Sequence, residues 1–134
     1  MAFDYDVSLQ VWHPSVDPGT IAQQIGLEPT SCHAVGHQRR TPKGTPLDGI
    51  YTETYCLFRL GQHEDSPLAT FLESAVAEFN HLKPVFDRLR VSGGKVMFSV
   101  QWTAGPHGEV FPVDLLASIA ELGVDLGIDP ISGA

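Results

Sequence analysis

Two segments of this chain alternate between an apolar and a mainly polar face, and this pattern limits the folds open to it. In residues 3–11 every second side chain is apolar, and residues 95–103 repeat the pattern. Such alternation is typical of β-strands that bury one face and leave the other to water. A parallel sheet covered by helices on both faces would show uniformly apolar strands instead. We therefore expect a sheet with one open face.

Segments with helical periodicity lie between the predicted strands. The first, at residues 17–26, begins with Asp-Pro and ends in Gly, residue types that are preferred at helix starts and helix ends. The second, at residues 66–92, has apolar residues at offsets of three and four and contains Pro84, which is expected to break or kink it. The third, at residues 115–123, again ends in Gly. These segments predict three helices.

The remaining segments complete the predicted fold. Residues 50–60 and 124–128 supply two further strands, whereas residues 28–49 lack sustained periodicity and predict a long loop. The pattern predicts a single α+β domain over residues 1–134. It has two layers, in which a four-stranded, mostly antiparallel or mixed sheet carries three helices on one face. This arrangement is a relative of the ferredoxin-like split β-α-β fold.

The apolar faces of these elements define the predicted core. It combines side chains from the first, third and fourth strands with side chains from the second helix. The predicted core residues are Phe3, Val7, Leu9, Val96, Phe98, Val100, Leu126, Ile128, Phe71, Leu72, Val76 and Phe79.

The net charge of the chain indicates which classes of partner it can bind. Eight Lys and Arg against sixteen Asp and Glu give a formal net charge of -8. Proteins that bind nucleic acid or anionic membranes do so by neutralising phosphates, so this balance argues against both partners and favours a basic protein. The acidic N-terminal residues do not resemble a signal peptide, and two cysteines are too few to staple the fold. We expect a cytoplasmic protein with free thiols, no cofactor and no membrane span.

The densest polar cluster lies in the predicted loop. Cys32, His33 and His37 offer soft and borderline metal ligands, but a zinc site needs a complete set at defined spacing, so we expect no structural metal there. Arg39 and Arg40 could hold a phosphate or a carboxylate. The alternative is that both arginines are solvated charges that pair with the surplus carboxylates.

Catalytic motifs are missing from the sequence. GxSxG, GxxxxGK[ST], HExxH and GxGxxG do not occur. We therefore assign no catalytic residue and expect the chain not to be an enzyme.

Four aspartates predict where a partner docks. If the last strand lies beside the first, as in the split β-α-β arrangement, Asp4, Asp6, Asp125 and Asp129 all point to the open sheet face and form one acidic patch. No Lys or Arg occurs from Gly105 onward. A basic surface would be attracted to this patch. The alternative is that the carboxylates only keep an exposed sheet soluble.

Three stretches resemble a widespread family of small bacterial domains of unknown function. They are DPGTIAQQIGLEPT (17–30), GHQRRTPKGTPLDGIYTETYC (36–56) and ASIAELGVDLGIDPI (117–131). The pattern runs from Asp-Pro through a short helix and Leu-x-Pro-Thr to a Gly-and-Arg loop and a Tyr-Trp strand. Here Cys56 stands where the pattern has Trp after Tyr55. The resemblance implies no catalytic residue, and some similar domains resemble immunity proteins encoded beside bacterial toxins.

Charge, missing motifs and this analogy favour a non-enzymatic protein-binding module. The most concrete form is an immunity protein that neutralises a basic bacterial toxin, with Asp4, Asp6, Asp125, Asp129, Arg39 and Arg40 as candidate contact residues. A different class stays open beside it. In that class the loop at residues 32–43 binds a small molecule or anion, in a ligand-binding domain or an enzyme that no motif reveals.

Overall fold

The structure, a computed structural model, describes residues 4–63, 66–103 and 108–131. Its strands are β1 (Asp4–His13), β2 (Ser31–His33), β3 (Gln38–Arg40), β4 (Pro46–Ile50), β5 (Thr54–His63), β6 (Lys95–Thr103) and β7 (Asp125–Ile131). Its α-helices are α1 (Pro18–Ile25), α2 (Leu68–Phe79), α3 (Lys83–Val91) and α4 (Val113–Leu122). A 3-10 turn at Asn80–Leu82 joins α2 to α3, so helix covers three segments of the chain. The predicted α+β class is confirmed.

The main sheet is mixed and has five strands in the order β2-β5-β1-β6-β7. β1 is central and pairs antiparallel with β5 and with β6, while β7 runs parallel to β6. β3 and β4 form a separate two-stranded hairpin. Because β7 follows β6 through α4, these three elements make a β-α-β crossover, the usual connection between parallel strands.

The alternation in β1 and β6 buries one face of the sheet and leaves the other open, as predicted. Val7, Leu9 and Phe98 face the helices and have no exposed surface, whereas the intervening Ser8 and Ser99 are partly exposed on the open face. Leu9 lies directly opposite Phe98 in the register. One face of the sheet is therefore packed under the helices, and the other is open.

Local cap signals determine the ends of α1. The Asp17 carboxylate accepts a hydrogen bond from the Thr20 N–H at 3.2 Å, and Gly26 adopts a left-handed conformation with φ of 83° at the C-terminal end. Pro84 lies in the first turn of α3, where its missing N–H costs nothing, so the predicted break at this residue is a change of helix through the 3-10 turn.

Several predictions about the sheet are wrong. The sheet has five strands rather than four, and its last strand lies beside β6 rather than beside β1, as the ferredoxin-like arrangement would require. The predicted loop at residues 28–49 contains β2, β3 and most of β4. The strand predicted at residues 50–60 begins at Thr54 and runs to His63.

The predicted core is confirmed in most of its members. Val7, Leu9, Val96, Phe98, Val100, Leu72 and Phe79 are buried. Phe71, Val76 and Leu126 are partly buried and pack against that core. Ile128 is 38% exposed because β7 is an edge strand, so its place in the core was wrong. Phe3 lies outside the described residues.

Across the described ranges, the search for a helix both long and apolar enough to span a bilayer found none.

Candidate functional site

The predicted acidic residues of the open sheet face do not form one patch. Asp129 lies opposite Gln101 on β6, and Gln101 lies opposite Asp6 on β1, so a whole strand separates the two aspartates. Asp125 lies opposite Met97, four residues before Asp129 in β7. Asp4 pairs with Thr103, and its side chain lies outside the described part.

Basic side chains also lie on this face and reduce its negative charge. The Asp6 carboxylate forms an ion pair with Arg59 on β5, with Nη2 and Oδ2 2.9 Å apart. The Lys95 ammonium lies 5.4 Å from the centre of the Trp12 ring, in a cation–π contact. The open face therefore presents both signs of charge to a partner.

A surface with exposed apolar side chains lies on the helix side of the molecule, at α4. Val110 is 81% exposed, Val113 is 77% exposed and Leu116 is 46% exposed. Val113 and Leu116 are one turn apart on the helix, and Val110 precedes them by the same spacing in the segment that leads into α4. We call these three residues the α4 ridge. Large apolar side chains exposed together are typical of surfaces that contact another macromolecule.

A groove lies between α2 and α4, on a face of α4 other than the one that carries the ridge. It has a volume of about 640 Å³ and is lined by Glu73, Val76, Ala77, Asn80, Asp114, Leu115, Ser118 and Glu121. α2 and α4 together contain four carboxylates and no Lys or Arg. Arg90 of α3 lies near Gly123, just beyond the end of α4, and supplies positive charge there.

The sequence indicated the charge of this surface but not its apolar ridge. The spacing of Leu115, Leu116, Ile119 and Ala120 predicts one amphipathic helix, and of these four the structure buries only Leu115 and Ile119. A rotation of 100° per residue places Leu116 at the margin of the buried face, between the directions of Val113 and Ile119. Since Leu116 is three residues from each of these two, spacing alone does not decide whether it is buried or exposed.

A second cavity lies where β2 meets the β3–β4 hairpin. Its volume is about 580 Å³, and the described lining residues include no carboxylate. They are Ser31, Cys32, His33, Ala34, His37, Gln38, Arg40, Thr41, Pro42 and Tyr51. We call this the hairpin cavity. Of the two predicted anion-binding arginines, Arg40 lines it and Arg39 does not. Arg39 donates from Nη1 to the Asp48 carbonyl at 3.4 Å.

Neither Arg39 nor Arg40 is in an ion pair within the part of the chain that the structure describes. Both arginines are exposed, as the solvated-charge alternative expects, but the pairing with carboxylates that it includes is not found among the described residues. Arg40 donates from Nη1 to the Gly44 carbonyl at 3.1 Å, which leaves the other donors of its guanidinium available.

Aromatic rings cross the open sheet face beside this cavity. His33 on β2, Tyr55 on β5 and Trp12 on β1 lie opposite one another in the register. The centres of the His33 and Tyr55 rings are 5.5 Å apart, and those of Trp12 and Tyr55 are 5.4 Å apart. Tyr51 stacks on His33 with ring centres 3.6 Å apart and planes 7° from parallel. These contacts hold the His33 ring in one orientation.

Burial shifts the pKa values of His33, Tyr55 and Cys56 in this region, and raises that of Tyr55. Burial lowers the pKa of His33, against a smaller opposing effect of the carbonyl and carboxylate of Glu53. Burial raises the pKa of Cys56 to about 12. Cys56 lies opposite Cys32 in the register, but only Cys32 is exposed and lines the cavity. Both thiols are free.

Cys32, His33 and His37 all contribute to the wall of the cavity, yet they do not form a metal site. Among residues 4–63, 66–103 and 108–131, no three His, Cys, Asp or Glu side chains are arranged to hold a metal ion. The arrangement instead offers hydrogen-bond donors from Arg40 and the two imidazoles.

Comparison with known proteins adds no relative. No family model, no curated protein and no solved structure matches this chain. The family resemblance of its sequence motifs therefore stays a prediction.

Proposed function

We propose that this chain is a non-enzymatic protein-binding module, and most concretely an immunity protein that neutralises a basic bacterial toxin. The observation that carries the proposal is that α4 presents the exposed apolar ridge on one face and the acidic groove on another. Protein interfaces commonly join an apolar centre, which supplies binding energy, to a polar rim. Here the ridge provides the apolar centre, and Asp114 and Glu121, on the groove side of the same helix, provide acidic groups beyond it.

Charge supports a basic partner for this surface. The net charge is -8, and the carboxylates of α2 and α4 have no Lys or Arg on their own helices to neutralise them. A toxin that acts on nucleic acid carries a positive surface for its substrate, and such a surface is complementary to the groove. Binding there would also cover the residues that the toxin needs for its substrate.

The helix surface is favoured over the open sheet face for two reasons. Asp6 is already paired with Arg59, and Lys95 adds a positive charge at the Trp12 end of the sheet. The remaining aspartates of that face, Asp125 and Asp129, fit the alternative in which they keep an exposed sheet soluble. We infer that the module acts in the cytoplasm, where free thiols such as those of Cys32 and Cys56 persist.

The first test is affinity capture from the source cell with the full chain as bait, followed by mass spectrometry. We expect a basic protein that stops growth when expressed alone and is tolerated when this chain is expressed with it. A chain that carries both Val113→Ser and Leu116→Ser should capture less of it, because the ridge loses apolar contact area.

The control is Val91→Ser, which removes a valine at the end of α3 that is even more exposed than Val113, at 89% against 77%. It should capture as much partner as the unmodified chain does. An acidic partner, or equal capture by the α4 and α3 variants, would contradict the proposal.

A further inference from the structure

We propose that the hairpin cavity between β2 and β3–β4 is a binding site for a small molecule that bears an oxyanion, either a phosphate or a carboxylate. This inference is independent of the protein-binding surface, which lies on the helix side of the molecule. A volume of about 580 Å³ is typical of small-ligand pockets, which commonly range over about 300–1,000 Å³.

The composition of the wall points to a negatively charged ligand. The whole chain has twice as many acidic as basic residues, yet the described wall of this cavity contains Arg40, His33 and His37 and no carboxylate. Glu53 acts on His33 from outside the wall. A guanidinium with unused donors is suited to phosphate and carboxylate oxygens, which it can bind in pairs.

Tyr51 contacts all three of the residues that carry these groups. Its ring stacks on His33, and its backbone N–H donates to the His37 carbonyl at 2.9 Å. Its hydroxyl accepts a hydrogen bond from the Arg40 backbone N–H at 3.2 Å and lies 3.3 Å from the Arg40 carbonyl, to which it can donate. Through its ring, hydroxyl and backbone, one residue on the segment after β4 therefore connects β2, the turn before β3 and the end of β3. Such preorganisation reduces the ordering cost that a ligand would otherwise meet.

The same contacts distinguish the wall residues of the cavity from the side chains of an ordinary solvated loop. Side chains that only keep a loop soluble need no fixed arrangement, whereas here a stacked ring pair and a hydroxyl clamp hold the wall in place. Arg40 is also fixed at its far end by the Gly44 carbonyl. The neighbouring Arg39, with the same charge, is directed to the Asp48 carbonyl instead.

The test is a titration of the full chain in which backbone amide NMR shifts are recorded at each step. NaCl keeps the ionic strength constant. The probes are inorganic phosphate, phenyl phosphate and benzoate, in separate titrations. We expect saturable shifts at residues 31–42 and at Tyr51 with at least one probe. Saturation by the two phosphates alone identifies a phosphate site, and saturation by benzoate alone identifies a carboxylate site.

Adjacent arginines supply the matched variants. Arg40→Gln should weaken binding of the saturating probe by about tenfold or more, because a charge-assisted hydrogen bond is lost. Arg39→Gln removes the same charge from outside the wall and should change binding by less than about threefold. His37→Gln is a second variant in the wall, and it should also weaken binding of the probe. It replaces Arg40→Gln in the comparison if that variant disturbs the hairpin.

Two results would overturn the proposal. The first is that none of the three probes saturates. The second is that Arg39→Gln weakens binding as much as the wall variants do, because general attraction to positive charge would then explain the shifts.

Discussion

The Nε2 atom of His13, at the end of β1, lies 2.8 Å from the hydroxyl oxygen of Ser92, at the C-terminal end of α3. The other ring nitrogen, Nδ1, accepts hydrogen bonds from the backbone N–H groups of Ser15 and Val16, each at 3.0 Å. The Ser92 hydroxyl lies 2.8 Å from the Arg88 carbonyl, to which it donates. This network fits a neutral imidazole with its proton on Nε2.

The buried imidazole makes stability depend on pH. Burial lowers the pKa of His13, since a charged ring would lose its hydration. The unfolded chain takes up a proton near pH 6.5, and the folded chain does so only at lower pH. The stability that His13 contributes is therefore complete above pH 6.5 and is lost as pH falls through the folded-state pKa. Urea unfolding at pH 7.5, 6.5 and 5.5 should show this decrease.

NMR titration separates His13 from the other histidines. The pKa of His33 is also lowered by burial and adds to the decrease in the same direction, so stability data alone do not identify the residue. His13→Asn should give a weaker pH dependence of unfolding than the exposed control His81→Gln. A His13 ring that titrates at or above pH 6.5 would contradict the account.

Gly94 is required because the backbone approaches it closely. A Cβ atom added there would lie 2.7 Å from the Leu89 carbonyl oxygen, 2.8 Å from the His13 ring and 2.9 Å from the Trp12 carbonyl oxygen. Gly94→Ala should lower the free energy of unfolding by about 1–3 kcal/mol, since two of these contacts are backbone. Gly108→Ala, where a Cβ would meet nothing within 4 Å, should change it by less than about 0.5 kcal/mol. Equal denaturation midpoints for the two variants would refute this reason.

Phe98 tests which face of β6 is packed. Its side chain has no exposed surface and lies opposite Leu9 in the register. Phe98→Ala should cost about 3–5 kcal/mol in denaturant unfolding, because it leaves a cavity in the core. Ile128→Ala on the edge strand should cost clearly less. An unmoved midpoint for Phe98→Ala would show that the facing is wrong.

Local signals in the sequence predicted much of the fold. Asp17 and Gly26 mark the ends of α1 because capping depends on residues within one turn. The β3–β4 hairpin was missed because its strands are short and its residues are exposed, so no alternation marks them. The place of β7 beside β6 depends on a crossover through α4, and alternation within a strand says nothing about which strand is its neighbour.

The candidate sites were predictable only in part. The sequence indicated Arg39 and Arg40 as a pair, but the fold places only Arg40 in the cavity wall. Tyr51, which holds that wall together, was interpreted as part of a strand, and its role depends on stacking with a residue eighteen positions earlier, His33. Contacts between segments of this kind leave no spacing pattern in a single sequence.

The thiol and imidazoles of the hairpin cavity should bind no structural metal. Cys32, His33 and His37 form no group that could hold an ion among the residues that the structure covers. Elemental analysis of purified, untagged protein should find zinc far below one equivalent, and a chelator should leave the unfolding midpoint unchanged. Stoichiometric zinc that survives dialysis, with unfolding on chelation, would overturn this prediction.

The central claim, that a basic partner docks at α4, is tested most directly by association kinetics with the purified partner. One variant carries Asp114→Asn and Glu121→Gln in the groove, and the other carries Asp125→Asn and Asp129→Asn on the sheet. Each changes the charge by two, so general attraction is matched. The groove variant should slow association at low salt by roughly threefold or more and weaken its salt dependence, and the sheet variant should change it less. Slower association for the sheet variant alone, or for neither, would contradict the claim.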